Sequence, residues 1–76
     1  MVRTMDTVRI DGGALKRARL ERFLDIGEVA DRSGIHRDHI SRLERYEWTG
    51  GSRPSTVRKL AEAIGVEPGE LLIEED

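Results

Sequence analysis

Three arginines, two histidines and an aspartate lie in one short segment of this 76-residue chain, GIHRDHISRLERY at 34–46. Ile40 and Leu43 are three residues apart, and this spacing places them on one face of a helix. The polar side chains then occupy the opposite face, namely Arg37, Asp38, Ser41, Arg42 and Arg45. In the major groove of DNA an arginine can donate two hydrogen bonds to guanine, and a carboxylate can accept one from cytosine. The segment therefore has the residue types needed for contact with base edges.

Two arginines of this polar face can contact different bases. Arg37 and Arg42 are five residues apart, which corresponds to about 140° around a helix of 3.6 residues per turn. The chain contains no Asn and no Gln, so the two-hydrogen-bond amide contact with adenine is not possible. We therefore expect the contacted positions of a DNA site to be rich in G·C pairs.

The same segment also has the spacing of a zinc site, because His36 and His39 are three residues apart with Asp38 between them. These are the only two histidines, no cysteine can complete a ligand set, and Arg37 and Arg42 would repel a cation. The glycines of GGALKRAR lack the spacing and the hydroxyl of a phosphate-binding loop. We expect no metal, no cofactor and no enzymatic activity.

Composition indicates one domain with an uneven charge. Residues 1–59 carry a net charge of +4 (13 basic against nine acidic residues), and residues 60–76 carry −6. A DNA-binding face would leave this pattern, as would a solvated acidic end. The absence of cysteine is compatible with a reducing compartment, and no apolar run approaches the roughly 18 residues of a membrane helix. We expect a cytoplasmic protein with no membrane partner.

Periodicity and turn residues predict an all-α fold of five short helices. The first three lie at 14–24, 25–33 and about 36–46, and two more lie at 56–64 and 66–72. Asp25 and Glu28 form a capping-box pattern, while Gly34 and Gly65 end helices. The predicted organisation is an N-terminal arm or short strand at 1–10, a helical domain at 11–73 and an acidic tail at 74–76. The alternation in TVRI, residues 7–10, leaves open pairing across a dimer or an arm along DNA.

Two segments, LDIGEVADRSGIHRDHISRLER and RPSTVRKLAEAIGVEPGELL, resemble lambda-repressor/Cro-type (XRE family) helix-turn-helix transcriptional regulators. The resemblance covers roughly residues 11–72. It implies a bacterial DNA-binding regulator, a repressor, that inserts the third helix at about 36–46 into the major groove of double-stranded DNA. Because one helix reads few bases, family members generally bind as homodimers on half-sites about one helical turn, roughly 34 Å, apart.

The resemblance also implies roles for individual residues. Base edges are contacted by Arg37, Asp38 and Arg42, and Arg19 with Glu44 forms a structural ion pair. The predicted contacts with the DNA backbone come from the third helix and the loop that follows it, namely His39, Ser41, Arg45, Ser52 and Arg53. The chain departs from the family at two turns. Ile26 replaces the usual phosphate-binding glutamine, and Phe23 stands where a glycine commonly ends the first helix.

A homodimer would need an apolar surface, and the candidates are Leu71, Leu72, Ile73 and Trp48. Leu71 and Leu72 could instead close the core, and Trp48 could fold over the end of the third helix. The main alternative function is a protein-interaction module of the same fold, such as an antitoxin or a partner of a sigma factor or regulator, with secondary DNA binding. The acidic end and apolar residues without a core position, such as Leu20, favour that alternative.

Overall fold

Residues 7–48 and 51–73 are described by the computed structural model, and they form four α-helices followed by a turn of 3-10 helix. The α-helices are α1 (Gly12–Glu21), α2 (Ile26–Ser33), α3 (Arg37–Glu44) and α4 (Pro54–Ile64), and the 3-10 turn spans Pro68–Leu71. The predicted all-α class is confirmed. None of these helices is long and apolar enough to cross a membrane. Residues 1–6 of the predicted arm and the predicted tail at 74–76 lie outside the described residues.

The fifth predicted helix is the one element whose type differs from the sequence expectation. It is a four-residue 3-10 turn that begins at Pro68, with Glu67 and Glu70 forming a capping box. The turn cannot lengthen into an α-helix because Leu72 returns to extended backbone, with φ −101° and ψ 151°, where it pairs with Ile10. The predicted helix at 66–72 was therefore wrong in type and length.

Helix ends follow local chemistry at most positions. Asp25 and Glu28 form the predicted capping box of α2, and Gly34 and Gly65 end α2 and α4 with φ 78° and 96°. These left-handed conformations are those that glycine adopts without a steric penalty. At α4, Arg53 holds the N-cap position and Pro54 begins the helix, where its fixed φ suits the first turn.

Each element contributes one large, fully buried aliphatic side chain to the core. These five side chains are Leu15 on α1, Val29 on α2, Ile40 on α3, Leu60 on α4 and Leu71 on the 3-10 turn. Helix α2 packs on α3 and α4, and α1 packs on α3 and the 3-10 turn. Helix α3 is thus held on its apolar side by both α1 and α2, which leaves its polar side outward.

The N-terminal segment pairs within its own chain. Val8 forms an antiparallel bridge with Ser52, with backbone N–H to O=C hydrogen bonds of 2.9 and 2.8 Å. Ile10 forms a second antiparallel bridge with Leu72 and is buried in the core. Residues 7–10 therefore lie between the loop that follows α3 and the C-terminal segment, and they pack as part of the helical domain.

Helix α1 approaches α3 closely at Gly12. A Cβ atom at this glycine would collide with the backbone carbonyl oxygen of Leu43. Because the obstacle is backbone rather than a flexible side chain, the contact requires glycine. The first turn of α1 and the end of α3 are therefore fixed relative to each other by direct backbone contact.

The turn between α1 and α2 contains a residue in an unfavourable conformation. Phe23 has φ 57° and its side chain is 92% exposed. A residue with a Cβ atom is strained in this left-handed region, and the exposed ring gains little packing in return. The backbone at Phe23 thus keeps the conformation that suits the glycine common in the resembled family, although the residue here is not glycine.

We expect Phe23→Gly to raise the free energy of unfolding by about 1 kcal/mol, because glycine relieves the left-handed strain. The measurement is urea denaturation followed by circular dichroism. Gly34→Ala is the matched control, since it places a Cβ at φ 78° and should lower the stability instead. A loss of stability in Phe23→Gly would show that the phenyl ring contributes more to the protomer than its exposure indicates.

Candidate nucleic-acid interface

The position of α3 is fixed by a buried ion pair with α1. The Arg19 Nε donates to the Glu44 Oε2 at 2.7 Å, and the Nη2 donates to Oε1 at 2.8 Å. The two side chains are 8% and 4% exposed. The hydrogen bonds that Arg19 donates to Glu44 raise the pKa of Arg19 above its usual value, so the guanidinium stays charged although burial opposes the charge. The structure thus brings together the two residues of the predicted structural ion pair.

The same guanidinium also holds the turn before α2. The Nη1 of Arg19 donates to the backbone carbonyl oxygen of Leu24 at 2.9 Å. One side chain therefore links three parts of the domain: α1, the end of α3 and the turn that leads into α2. Because the two-point contact with Glu44 is directional, it fixes the rotation of α3 as well as its distance from α1.

The predicted base-contacting residues lie together on the solvent face of α3. Arg37, Asp38 and Arg42 are all exposed. Within the described part of the chain neither arginine forms an ion pair, so their N–H donors face outward unengaged. Asp38 lies at the first turn of α3, where its backbone N–H donates to the Nδ1 of His36 at 3.1 Å. The arrangement presents two cations and one carboxylate along a single helix face.

Four of the residues predicted to contact the DNA backbone lie at exposed or half-buried positions. Arg53 is exposed at the start of α4, and Arg45 is exposed at the end of α3, where its Nη2 lies 3.3 Å from a carboxylate oxygen of Glu47. Ser41 and His39 are half-buried on α3. A phosphate could therefore contact the accessible surface of all four residues, Arg45, Arg53, Ser41 and His39.

His39 packs against the loop that follows α3. Its ring meets the edge of Trp48 in a T-shaped arrangement, with the ring centroids 4.5 Å apart. Partial burial lowers the pKa of His39, and the positive charge of Arg42 lowers it further. The imidazole is therefore neutral at neutral pH. Trp48 is folded over α3, and its indole N–H donates to the Gly51 carbonyl oxygen at 3.4 Å.

Two residues that were predicted to lie at an interface are buried in the domain. Ser52 is 6% exposed and its backbone pairs with Val8, so it serves the fold and does not present its side chain for a DNA contact. Leu71 is fully buried and closes the core beneath α4, which removes it from the candidate dimer surface. Ser52 is buried where it pairs with the N-terminal segment, and Leu71 takes the core position that the sequence left open as its alternative role.

The other dimer candidates remain at the surface. Leu72 is half-buried, and Ile73 and Trp48 are exposed. Ile73 and Trp48 line a cleft of about 170 Å³ together with Tyr46 and Arg9. Residues that are distant in sequence thus form one partly apolar surface beside the end of α3.

Tyr46 is an important residue that sequence reasoning missed. Its hydroxyl donates to the Asp11 carboxylate at 2.7 Å and accepts from the Gly13 backbone N–H at 2.7 Å. Asp11 also accepts from the N–H of Ala14 and so caps α1. The phenol therefore clamps the end of α3 to the start of α1. The only local signal is the aspartate before two glycines, which indicates the cap but not the tyrosine.

The start of α2 has lost the phosphate site that the family resemblance implies. The Asp25 carboxylate accepts from the Glu28 N–H at 2.7 Å, and the Glu28 carboxylate accepts from the Asp25 N–H at 2.9 Å. Both side chains are exposed, so two negative charges surround the positive end of the helix. The two carboxylates therefore oppose the binding of a phosphate at this end of α2.

The alternative of a metal site gains no support from the geometry. The Nδ1 of His36 is occupied by the N–H of Asp38, and the ring of His39 packs on Trp48. Across residues 7–48 and 51–73 no three side chains of His, Asp or Glu are grouped in a way that could hold a metal ion.

Comparison with protein families identifies the arrangement. The sequence model of the helix-turn-helix family matches residues 15–71 of this chain. The chain belongs to the helix-turn-helix family. The match begins within α1 and ends with the 3-10 turn, so this helix-turn-helix domain includes both partners of the buried ion pair. It confirms the resemblance to XRE-type regulators. No curated protein matches the sequence significantly.

Solved structures share this fold. The restriction-modification controller protein C.AhdI from Aeromonas hydrophila is 30% identical with a TM-score of 0.71, over 80% of this chain and 89% of that one. The hypothetical transcription factor NHTF from Neisseria is 24% identical with a TM-score of 0.68, over 92% and 87%, and supports the fold alone. A hydroxyethylphosphonate dioxygenase is 29% identical with a TM-score of 0.74, but this helix-turn-helix chain spans only 14% of its length.

Breaking the buried pair should destabilise the protein strongly. We expect Arg19→Met and Glu44→Leu each to cost about 3–5 kcal/mol, because each leaves one buried charge unpaired. The double substitution should cost clearly less than the sum, which a double-mutant cycle from urea denaturation measures. Arg45→Met with Glu47→Leu is the control, since that exposed pair should contribute little. Additive losses for Arg19 and Glu44 would contradict a direct coupling.

The Tyr46 clamp should make stability depend on pH. The hydrogen bond from Tyr46 is the main cause that lowers the pKa of Asp11 below 3.8, followed by that from the Ala14 N–H. Because the folded pKa is depressed, this stabilisation is present above 3.8 and is lost as the pH falls through the folded pKa. Tyr46→Phe should therefore destabilise most at neutral pH, and its difference from the wild type should shrink below pH 3.8. Urea denaturation across pH 2.5–7 tests this, and a constant difference would contradict it.

Proposed function

We propose that this protein is a sequence-specific double-stranded DNA-binding transcriptional regulator that acts without enzymatic activity. It inserts α3 into the major groove as one half of a homodimer, and it represses by occupying its operator. The observation that carries the proposal is the exposed face of α3, where Arg37, Asp38 and Arg42 point outward while the buried Arg19–Glu44 pair fixes the helix. The similarity to a controller protein over 89% of that chain supports a regulatory role.

The chemistry of α3 favours G·C pairs. Arg37 and Arg42 each have the fork of N–H groups that matches the O6 and N7 atoms of guanine, and Asp38 can accept from the N4 amino group of cytosine. No side-chain amide exists in the chain to contact adenine with two hydrogen bonds. Base discrimination in this protein therefore comes from charged groups alone.

The contacts with DNA phosphates lie around the exposed face of α3. Arg45 and Arg53 lie at the end of α3 and the start of α4 and supply charge near the groove edge. His39 and Ser41 are half-buried beside them. The acidic N-terminus of α2 adds repulsion, so the backbone contacts concentrate at the C-terminal side of α3.

A homodimer is supported by the surface beside the end of α3. Tyr46, Trp48 and Ile73 are exposed aromatic and aliphatic residues around one cleft, with Leu72 half-buried nearby. Burial of these side chains against a second copy would remove apolar surface from water. Because the cleft adjoins the last turn of α3, a two-fold contact there would set the separation of the two reading helices.

Binding-site selection from random duplex DNA tests the proposal. We expect a two-fold motif with G·C pairs at the contacted positions. Arg42→Ala should relax one position in each half-site and cost about 1–3 kcal/mol of discrimination there. Lys59→Ala on α4 is the control, because it removes one positive charge away from the face of α3 and should leave the motif unchanged.

The same experiment can overturn the proposal. Weak binding that selects no sequence and vanishes at moderate salt would show that the DNA contact is non-specific. Contacted positions that are all A·T would contradict the reading by arginine and aspartate. A motif without two-fold symmetry would contradict the homodimer, and analytical ultracentrifugation of the protein with its selected DNA gives the stoichiometry directly.

The interaction module remains the second candidate function because one observation favours it. Leu20 and Phe23 are large apolar residues that are exposed on the α1 side of the domain, outside both α3 and the cleft. The reading of DNA by α3 leaves these residues unexplained. They are compatible with a protein partner that binds in addition to DNA.

A further inference from the structure

The outward face of α1 is defined as Lys16, Arg17 and Leu20, which are exposed. The exposed Phe23 of the next turn adjoins it, because its backbone N–H donates to the Leu20 carbonyl oxygen at 3.0 Å. The opposite face of α1 is buried through Leu15, Ala18 and Arg19, and it is this face that packs toward α3 and the core. The outward face is therefore directed away from α3. A molecule bound there would not compete with DNA for α3.

Two large apolar side chains of this face have no use within the protomer. Leu20 is 50% exposed and lies over a shallow groove that Gly13, Lys16, Arg17 and Glu21 also line. Phe23 is almost fully exposed although its backbone is held in the left-handed region. A residue that strains the turn and packs on nothing in its own protomer suits a contact with another molecule.

The charges around Leu20 define the chemistry of that molecule. Lys16 and Arg17 precede Leu20 by one helical turn, and neither forms an ion pair within the described residues. Glu21 lies 4.0 Å from the guanidinium of Arg22, which offsets its charge. The face therefore carries a net positive charge beside an apolar centre. The acidic pair Asp25 and Glu28 lies beyond Phe23, so the attraction for anions is confined to the Lys16 and Arg17 end.

We propose that the outward face of α1, with Phe23, is a docking surface for an acidic, apolar-containing segment of a partner protein. The partner inserts apolar side chains against Leu20 and Phe23 and places carboxylates on Lys16 and Arg17. This inference does not depend on DNA binding by α3. It adds a second surface, on the other side of α1, through which a protein partner reaches the domain while α3 stays free.

Panning a phage-displayed library of random dodecapeptides on the full chain tests the surface. We expect the enriched peptides to combine Asp or Glu with Leu, Phe or similar residues. The strongest is then synthesised with a fluorophore, and its binding is measured by polarisation. Leu20→Ser with Phe23→Gly should weaken that binding at least tenfold, and so should Lys16→Glu with Arg17→Glu. Arg58→Glu with Lys59→Glu, which reverses two exposed charges on α4 instead, should change it less than twofold.

The variants also separate this proposal from its rivals. Circular dichroism of each variant reports the fold, and where the apolar double variant unfolds, the charge-reversal pair decides. The absence of any enriched peptide, enriched peptides without acidic residues, or binding that ignores both double variants would overturn the proposal. A lower solution mass in the apolar double variant would assign the face to a second copy of the chain. An equal loss of affinity for the selected DNA would assign Lys16 and Arg17 to phosphates, and either result would also overturn it.

Discussion

A guanidinium that is shielded from water joins the two helices on which the function depends. Arg19 is charged, buried and bonded at three points, two on Glu44 and one on the Leu24 carbonyl. A buried ion pair contributes little net stability compared with a well-packed apolar pair, because both ions must lose their hydration. It is nevertheless strict in geometry, since a charged group out of register would be left unpaired in the core. The pair therefore selects one orientation of α3 over other compact packings.

Two other contacts between α1 and α3 also fix the orientation of α3. Gly12 allows the backbones to meet, because a larger residue would strike the carbonyl oxygen of Leu43. Tyr46 is the second residue after α3, and it contacts the cap of α1 although its own φ of 59° is unfavourable. A hydroxyl that both donates to Asp11 and accepts from Gly13 offsets that strain. Helix α3 is thus fixed at its buried face and at its C-terminal end by short, directional contacts.

The sequence predicted the elements whose cause is local and missed those whose cause is tertiary. The capping box of Asp25 and Glu28 and the terminal glycines 34 and 65 are set by neighbouring residues, and each appears as expected. Arg19 and Glu44 could be paired only through the family resemblance. The partners of residues 8 and 10, the burial of Ser52 and the clamp by Tyr46 depend on segments far apart in the chain. No spacing rule within one element carries that information.

The charge distribution decides how such a small domain can be selective. A binder that relied on a high positive charge would attract any DNA, and its affinity would reflect the number of phosphates neutralised. This chain has a net charge of −2, with six acidic residues and no basic residue in 60–76. The long-range attraction to DNA is therefore weak, and the acidic start of α2 reduces it further at the interface. In the proposed function, discrimination then comes from Arg37 and Arg42 on α3. Because these residues carry both charge and hydrogen-bond donors, the loss of one removes specificity and affinity together, and no amide side chain in the protein can replace it.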